Sequence, residues 1–280
     1  MTNDFDDPAR YWNEAAGPKW ATAQASVDRM LGPIHDALLA ACRVQPGERV
    51  IDIGYGGGTT TLGFAQRVGP TGRVLGVDIS RPLFEHARSR CSGIDHITLE
   101  CADAGAFRFE RGWGDLMASR FGVMFFPDPV QAFANIREGL RERGRITFAC
   151  WQVVERNPWI TFVLRAFPDA QMPLPPPGDG PGPFSLAEPS RLRQVLEQAG
   201  FSEVQLESFE TTVELGETVD ETLEGMSDVG PFSRLLSEAS ELDRPAMLAR
   251  ARAFLEREYR NGPPALDAAA WLVRAVNPAG

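Results

Sequence analysis

The 280 residues carry 28 Lys and Arg against 38 Asp and Glu, for a net charge of −10 and an isoelectric point near 4.9, the wrong sign for gripping a phosphate backbone. Nucleic acid is thereby excluded as the expected partner. Hydrophobic residues at 43% and charged residues at 24% are ordinary for a soluble globular chain, and no apolar run approaches the ~18 residues of a membrane helix.

The chain opens on the acidic Met1-Thr2-Asn3-Asp4-Phe5-Asp6-Asp7, where a secretion signal would be basic, which points to the cytoplasm. Residues 8 to 42 have helical spacing, with Met30, Leu31, Ile34, Leu38 and Leu39 on one later face. Tyr11, Trp12 and Trp20 surround Gly17-Pro18 in a stretch too broken for a plain core helix. These aromatics either pack on the domain edge or close over a ligand. Cys42, Cys91, Cys101 and Cys150 are widely spaced inside apolar or helical patterns, so reduced, buried thiols are expected. His35, His86 and His96 stand at no ligand spacing from one another, and no protein-bound metal is expected.

The chain is organised around residues 50 to 59. Val50-Ile51-Asp52-Ile53 is a strand, Gly54-Tyr55-Gly56-Gly57-Gly58 a tight turn, and Thr59, Thr60, Thr61, Leu62 and Phe64 begin a helix running to residue 68. Such glycines admit a ligand close to the backbone, and the helix N-terminus adds partial positive charge. A dinucleotide fingerprint G-x-G-x-x-G fails, because Thr59 stands in its last glycine position. What the residues spell is acid-x-Gly-x-Gly-x-Gly, from Asp52, Gly54, Gly56 and Gly58. A second strand, Arg73 to Val77, ends in Asp78, 20 residues beyond Gly58; a helix from Arg81 to Cys91 follows, capped by Ser80. His86 on it reads as solvated. A third strand, His96 to Cys101, leads into Ala102-Asp103-Ala104, and a fourth, Gly114 to Ser119, leads into Arg120-Phe121-Gly122-Val123-Met124-Phe125-Phe126. Asp128 and Pro129 start a helix with Val130, Phe133, Ile136 and Leu140 on its apolar face, and Gly144 to Trp151 is a fifth strand.

Asp52, Gly54, Gly56 and Gly58, with Asp78, Asp103 and the run from Asp115 to Trp151 in order, resemble the class I S-adenosylmethionine-dependent methyltransferases over about residues 46 to 151. Within that family the chain is similar to the small-molecule enzymes of the ubiquinone and menaquinone biosynthesis type. The resemblance implies S-adenosyl-L-methionine as cofactor. Its methionine end would lie on the loop, with Asp52 helping to fix the ammonium; Asp78 would take the ribose hydroxyls, Asp103 the adenine amine, and the Ala104 amide a ring nitrogen. The implied contact set is Trp20, Asp52, Gly54, Tyr55, Gly56, Gly58, Thr59, Thr60, Asp78, Ile79, Asp103, Ala104 and Ser119. Trp12, Arg120, Phe121, Phe125 and Trp151 are the expected acceptor pocket. Arg120 would hold an anionic oxygen of the acceptor, or else pair with Asp128 or a cap acid. No catalytic side chain is identified.

Beyond Trp151 the pattern predicts a helix from Pro158 to Phe167, a loop from Pro168 to Pro183 with seven prolines, a helix from Ser190 to Gly200, and a strand from Phe201 to Val213. The loop is either a passive surface segment or an active-site lid. Leu215 to Arg260 reads as mostly helical, and Ala268 to Ala275 as the last strand. The expected fold is α/β, a Rossmann-like seven-stranded doubly wound sheet with an antiparallel last strand and a helical cap. The expected division is an N-terminal cap segment, 1–45, and a methyltransferase domain, 46–280, with cap insertions at about 152–188 and 215–262. The expected function is methyl transfer to a small aromatic or apolar acceptor. The alternatives are a non-catalytic S-adenosylmethionine-binding regulatory protein, kept open by Tyr55 in the loop, and a nicotinamide-dependent oxidoreductase. A homodimer is compatible with the sequence, but nothing indicates one.

Overall fold

The computed structural model describes residues 5, 7–170, 180–228 and 230–279. The chain begins with short helices broken at small residues: α1 (Pro8–Arg10), a π-helical turn (Tyr11–Ala15), α2 (Gly17–Thr22), α3 (Gln24–Met30) and α4 (Gly32–Cys42). Glycine and proline at the starts of α2 and α4 divide what would otherwise be one long helix. The apolar face of α4, Ile34, Leu38, Leu39 and Cys42, is buried in the main core.

Near-continuous apolar runs such as Val50-Ile51 and Leu116-Met117-Ala118 suit strands covered on both faces. They form β1 (Arg49–Ile53) and β4 (Gly114–Arg120), alternating with α5 (Thr59–Val68), β2 (Arg73–Asp78), α6 (Arg81–Arg90) and β3 (Ile97–Cys101). After β4 come α7 (Pro129–Gly139), capped by Asp128, whose carboxylate accepts from the Gln131 amide at 3.0 Å, and β5 (Leu140–Trp151). Strand order in the seven-stranded sheet is β3-β2-β1-β4-β5-β7-β6. Neighbours from β3 to β5 are parallel, with Val50 opposite Val74 and Leu116, and Asp52 opposite Gly76 and Ala118. The last strand, β7 (Leu266–Val276), inserts antiparallel between β5 and β6 (Ser202–Val213). Strand order reverses between β1 and β4, the point at which such sheets open a crevice at their carboxyl ends.

Strand β5 begins at Leu140 rather than Gly144. Its pairing with β4 jumps from Gly114–Leu140 to Leu116–Arg145, and Arg143, at φ 59°, absorbs the irregularity. The expected helix from Pro158 to Phe167 is instead α8 (Pro158–Thr161) followed by a 3₁₀ turn, Val163–Ala166. Trp159, Ile160, Thr161, Phe162 and Val163 are aromatic or β-branched and hold a helix poorly. Packing decides the path: Phe162 meets Phe254 edge-on and Phe167 stacks on Phe232. Those rings anchor a second, smaller core beneath α10 (Val219–Asp228), α11 (Pro231–Glu238) and α12 (Arg244–Glu258). Helix α9 (Pro189–Gln198) lies before β6. Of the proline-rich loop, residues 171–179 are outside the described residues, so the lid reading falls largely beyond them. The returning chain is fixed to the turn after β4, the Gly182 amide and Ser185 hydroxyl both donating to the Met124 carbonyl. All four cysteines are free; Cys42, Cys91 and Cys150 are buried and Cys101 is half-buried. Among the described residues no helix is long and apolar enough to cross a membrane.

Candidate cofactor and acceptor site

The loop after β1 is built by close backbone contact. Gly54, at φ 66°, lies so near the turn after β4 that an added Cβ would stand 2.7 Å from Gly122 Cα. The partner turn is itself strained: Phe121 holds φ 68°, unusual for an aromatic residue. The Ser119 hydroxyl fixes that turn by accepting from the Gly122 amide at 3.1 Å. Gly56, at φ 55°, faces open space on its side-chain side and donates its amide to Asp78 Oδ2 at 2.8 Å. Gly58 stands at the N-cap of α5.

Three acids end three adjacent strands, each in a different state. Asp52 has no solvent exposure; its Oδ2 accepts from the Thr60 and Thr61 hydroxyls, both at 2.7 Å, while Oδ1 has no partner. Burial pushes its pKa up to about 6, against the pull of those two hydroxyls and of Arg120. Asp78 accepts from the amides of Gly56 and Ser80, at 2.8 Å each, and burial raises its pKa too, against those two bonds. Asp103 is exposed, with Oδ1 accepting from the Gly105 amide at 2.8 Å, and the Ala104 beside it is buried.

Tyr55 turns away from the loop. It is buried, its ring lies against Gly76, and its hydroxyl donates to the Glu100 carbonyl at 3.2 Å. Gly76 leaves it room, since a Cβ there would stand 2.7 Å from the tyrosine ring.

The N-terminal segment closes on the loop from above. Trp12 offers its carbonyl to the Ser80 hydroxyl at 2.7 Å, and Asn13 bridges the Ile79 carbonyl and the Arg81 amide. Gln24 sits directly on Gly57, where an added Cβ would collide with its amide oxygen. Asp28 accepts from the Thr59 hydroxyl at 2.7 and 2.8 Å and from Gln24 at 2.9 Å, and lies 3.4 Å from Arg90 and 3.6 Å from Arg120. Trp20 is half-buried edge-on to Trp12, 5.6 Å between ring centres. Two open hollows, of about 70 Å³ beside Ile51 and Trp113 and about 370 Å³ beside Phe84 and Leu99, are lined by none of the three acids.

The five expected pocket residues fall into three places. Trp12 packs edge-on to Phe125 at 5.2 Å, within a cluster that includes Phe5, Tyr11 and Trp20. Phe121 stacks on Trp151 at 4.1 Å, and Trp151 leans on Trp159 at 5.0 Å. Arg120 pairs with Asp28, a cap acid, while Asp128 caps α7. Sequence reasoning missed Gln24, Asp28, Arg90 and Trp159. Asp28 and Gln24 have the i,i+4 spacing of any polar helix face, and Arg90 reads as an ordinary cation at a helix C-terminus, so no local signal marks them.

A profile of the methyltransferase domain matches residues 50–144. The chain is 33% identical over 181 residues to an aklanonic acid methyltransferase of Streptomyces sp. strain C5, covering 64% of this chain and 74% of that protein. The chain belongs to the class I S-adenosylmethionine-dependent methyltransferases. It is also 27% identical over 194 residues to a ubiquinone/menaquinone biosynthesis C-methyltransferase of Ralstonia nicotianae, covering 64% of this chain and 79% of that one. It spans only 32% of an uncharacterised 37.1 kDa transposon protein of Streptomyces fradiae, with 35% identity over 109 residues. Among solved structures, the YcgJ protein of Bacillus subtilis shares the fold, with a TM-score of 0.58 and 16% identity over 88% of this chain and 98% of that one.

The methyltransferase's own residues fit the family's cofactor. The loop leaves open space at Gly56, and the buried, unpartnered oxygen of Asp52 is an acceptor in want of a donor, a state that costs about 1 to 3 kcal/mol unless satisfied. Oxidoreductases of this general fold place a glycine where Thr59 stands, and here Thr59 is engaged with Asp28 and Arg90.

Proposed function

We propose that this methyltransferase acts on a small, flat, largely apolar acceptor, and that the end of the sheet divides between a polar cofactor side and an aromatic acceptor side. The observation that carries this reading is the row of Asp52, Asp78 and Asp103 at the ends of β1, β2 and β3, beside glycines that keep the backbone bare. Asp52 Oδ1 would accept from the cofactor's ammonium, Asp78 from the ribose hydroxyls, and Asp103 from the adenine amine. The bare backbone around Gly54, Gly56, Gly58, Thr59 and Ala104 would line the same path, with Ile79 and Trp20 as apolar contacts. The side chains of Tyr55, Thr60 and Ser119 are committed to the protein, so their part is to hold the loop in shape.

S-adenosylmethionine supplies a methyl group on a positively charged sulfur with a neutral thioether as leaving group. The chain's share is to orient the acceptor and exclude water, which carries much of such a displacement. Trp12 and Phe125, both half-buried, supply aromatic walls, and Phe121 stacked on Trp151 stiffens the end of β4. The curated relatives act on aklanonic acid and in ubiquinone and menaquinone biosynthesis, by their names, and aromatic walls of this kind suit acceptors of that flat class. The described residues within 1–45, about 152–188 and 215–262 are read as the cap over this end of the sheet.

Titration calorimetry with S-adenosylmethionine, S-adenosylhomocysteine and NADH tests the cofactor side: the first two are expected to bind and NADH to give no heat. Binding of NADH alone overturns the reading. A methyl-transfer screen over small aromatic hydroxyl, amine, thiol and carbon acceptors tests the other side, and turnover confined to aliphatic acceptors overturns it.

A further inference from the structure

We propose that Arg120 reads the carboxylate of the cofactor's amino-acid end, and that Asp28, from the N-terminal helix α3, is the positioning residue that aims it. The proposal rests on the cofactor reading above and reassigns Arg120 from the acceptor to the cofactor. Among the described residues four buried side-chain atoms lack a hydrogen-bond partner: His35 Nδ1, Asp52 Oδ1, Arg120 Nη1 and Arg274 Nε. The first three belong to one neighbourhood beside the glycine loop and the start of α5, where the charges of Arg120, Asp28 and Asp52 act on one another. The Arg120 side chain is only 10% exposed, and its Nη2 lies 3.6 Å from Asp28. A guanidinium with Nη1 buried and unpaired is expensive to keep unless a ligand completes it.

Charge decides which ligand. Asp28 faces two cations, Arg90 and Arg120, so this half of the cluster carries one positive charge in excess. Asp52 accepts from the hydroxyls of Thr60 and Thr61 and forms no ion pair at contact distance among the described residues, Arg120 acting on it only from further off, so no ion pair matches its negative charge. His35, whose pKa burial and Arg120 lower, adds none. An excess cation and an excess anion, each with one orphaned atom, complement an ammonium and a carboxylate on the same carbon, which is an α-amino acid end. Arg120 supplies a charge-assisted donor of the kind that suits a carboxylate.

Asp28 does the aiming. It ties Arg120 on β4, Arg90 on α6 and Thr59 at the start of α5 to one carboxylate, and Arg90 also donates to the Gly57 carbonyl at 2.6 Å. The N-terminal helix is in this way part of the cofactor site.

The test compares S-adenosylmethionine with its decarboxylated form, which differ by the carboxylate alone, using calorimetry on the full chain. Wild-type protein is expected to prefer S-adenosylmethionine by about 10- to 100-fold. Arg120→Gln is expected to erase that preference, leaving the decarboxylated ligand bound as in wild type. Arg120→Lys, which keeps the charge, is expected to retain part of it. Asp28→Asn is expected to lose a smaller share of the same preference, and the double variant to lose no more than Arg120→Gln, a non-additivity that mere loosening of the fold does not produce. Thermal melts confirm that each variant folds. Equal weakening of both ligands, or an unchanged preference in Arg120→Gln, overturns the proposal while leaving the function reading intact. Wild-type protein that binds neither ligand overturns both.

Discussion

On the side of β1, β2 and β3, the side chains that shape the crevice are polar and short, and their partners are close in sequence: Asp52 with Thr60 and Thr61, Gly56 with Asp78, Asp103 with Gly105. On the side of β4, β5 and the cap, they are aromatic, and what fixes them is distant. Trp151 lies between Phe121 and Trp159, and Asn157 orients Trp159 by accepting from its indole at 3.1 Å while bonding Ala269, 112 residues away, through both its amide oxygen and its amide nitrogen. A hydrogen bond fixes direction and charge, so the first side suits one invariant ligand. Stacked rings fix mainly a plane and a volume, so the second side can take different flat molecules.

The sharpest break in that contrast comes from Trp151→Ala. It removes a 5%-exposed ring from between two others and is expected to cost about 3 to 5 kcal/mol in urea unfolding. S-adenosylhomocysteine affinity is expected to stay within about twofold of wild type, corrected for the folded fraction. A large loss of affinity would show that the two sides are not separable. Gly54→Ala acts where the sides touch. Its Cβ would meet Gly122 Cα at 2.7 Å from a left-handed backbone, and a loss of about 2 to 4 kcal/mol in unfolding is expected, accompanied by weakened S-adenosylhomocysteine binding. A stable variant with unchanged binding would mean the loop tolerates being pushed apart.

Asp78→Asn keeps shape and removes charge. Because both oxygens of Asp78 accept amide hydrogens, the Asn nitrogen must face one of the two backbone donors, and a stability loss of about 1 to 3 kcal/mol is expected together with a loss of about 10- to 100-fold in S-adenosylhomocysteine affinity, since the proposed ribose contact asks the carboxylate to accept more. The pH dependence sharpens the picture further. Asp52 titrates near 6 in the fold and near 3.8 when free, so its proton favours the folded state at low pH, and that contribution fades as pH rises through 6. A cofactor ammonium pairs with the ionised form, so S-adenosylhomocysteine affinity is expected to fall about tenfold per pH unit below 6 and to flatten in Asp52→Asn. A flat wild-type profile would remove Asp52 from the ammonium.

The same contrast explains what could be read from the sequence. The loop, its flanking strand and helix, and the positions of Asp78 and Asp103 follow from short-range patterns, and α5 runs over the expected 59 to 68. The seven-stranded doubly wound sheet with its antiparallel last strand follows from the alternation of elements and the resemblance to the family, while the order of the strands is seen only in the fold. The fate of Arg120 could not be read, because its partner Asp28 lies 92 residues earlier on a helix with no distinguishing mark. The break at Phe162 was equally hidden, since the rings that bend the chain there, Phe232 and Phe254, lie 70 and more residues on. Charges and rings that meet only through the fold leave no periodicity behind.

Tyr55 gives the smallest expected effect and the finest discrimination. By position it belongs to the cofactor loop, where a bulky residue suits a protein that binds without turnover. By contact it belongs to the sheet, its ring against Gly76 and its hydroxyl on the Glu100 carbonyl. Burial raises its pKa far above the usual phenol range, so it stays neutral at any working pH and contributes one ordinary hydrogen bond. Tyr55→Phe is therefore expected to cost about 0.5 to 1.5 kcal/mol in a thermal melt, because the Glu100 carbonyl loses its donor, and to leave S-adenosylhomocysteine affinity unchanged. Gly76→Ala, which drives a methyl into the same ring, is expected to cost more than the lost hydroxyl and to leave affinity within a few-fold. A Tyr55→Phe variant that melts normally and binds S-adenosylhomocysteine poorly would move Tyr55 from the sheet to the crevice, because a hydroxyl that matters to the ligand and not to the fold must face the ligand.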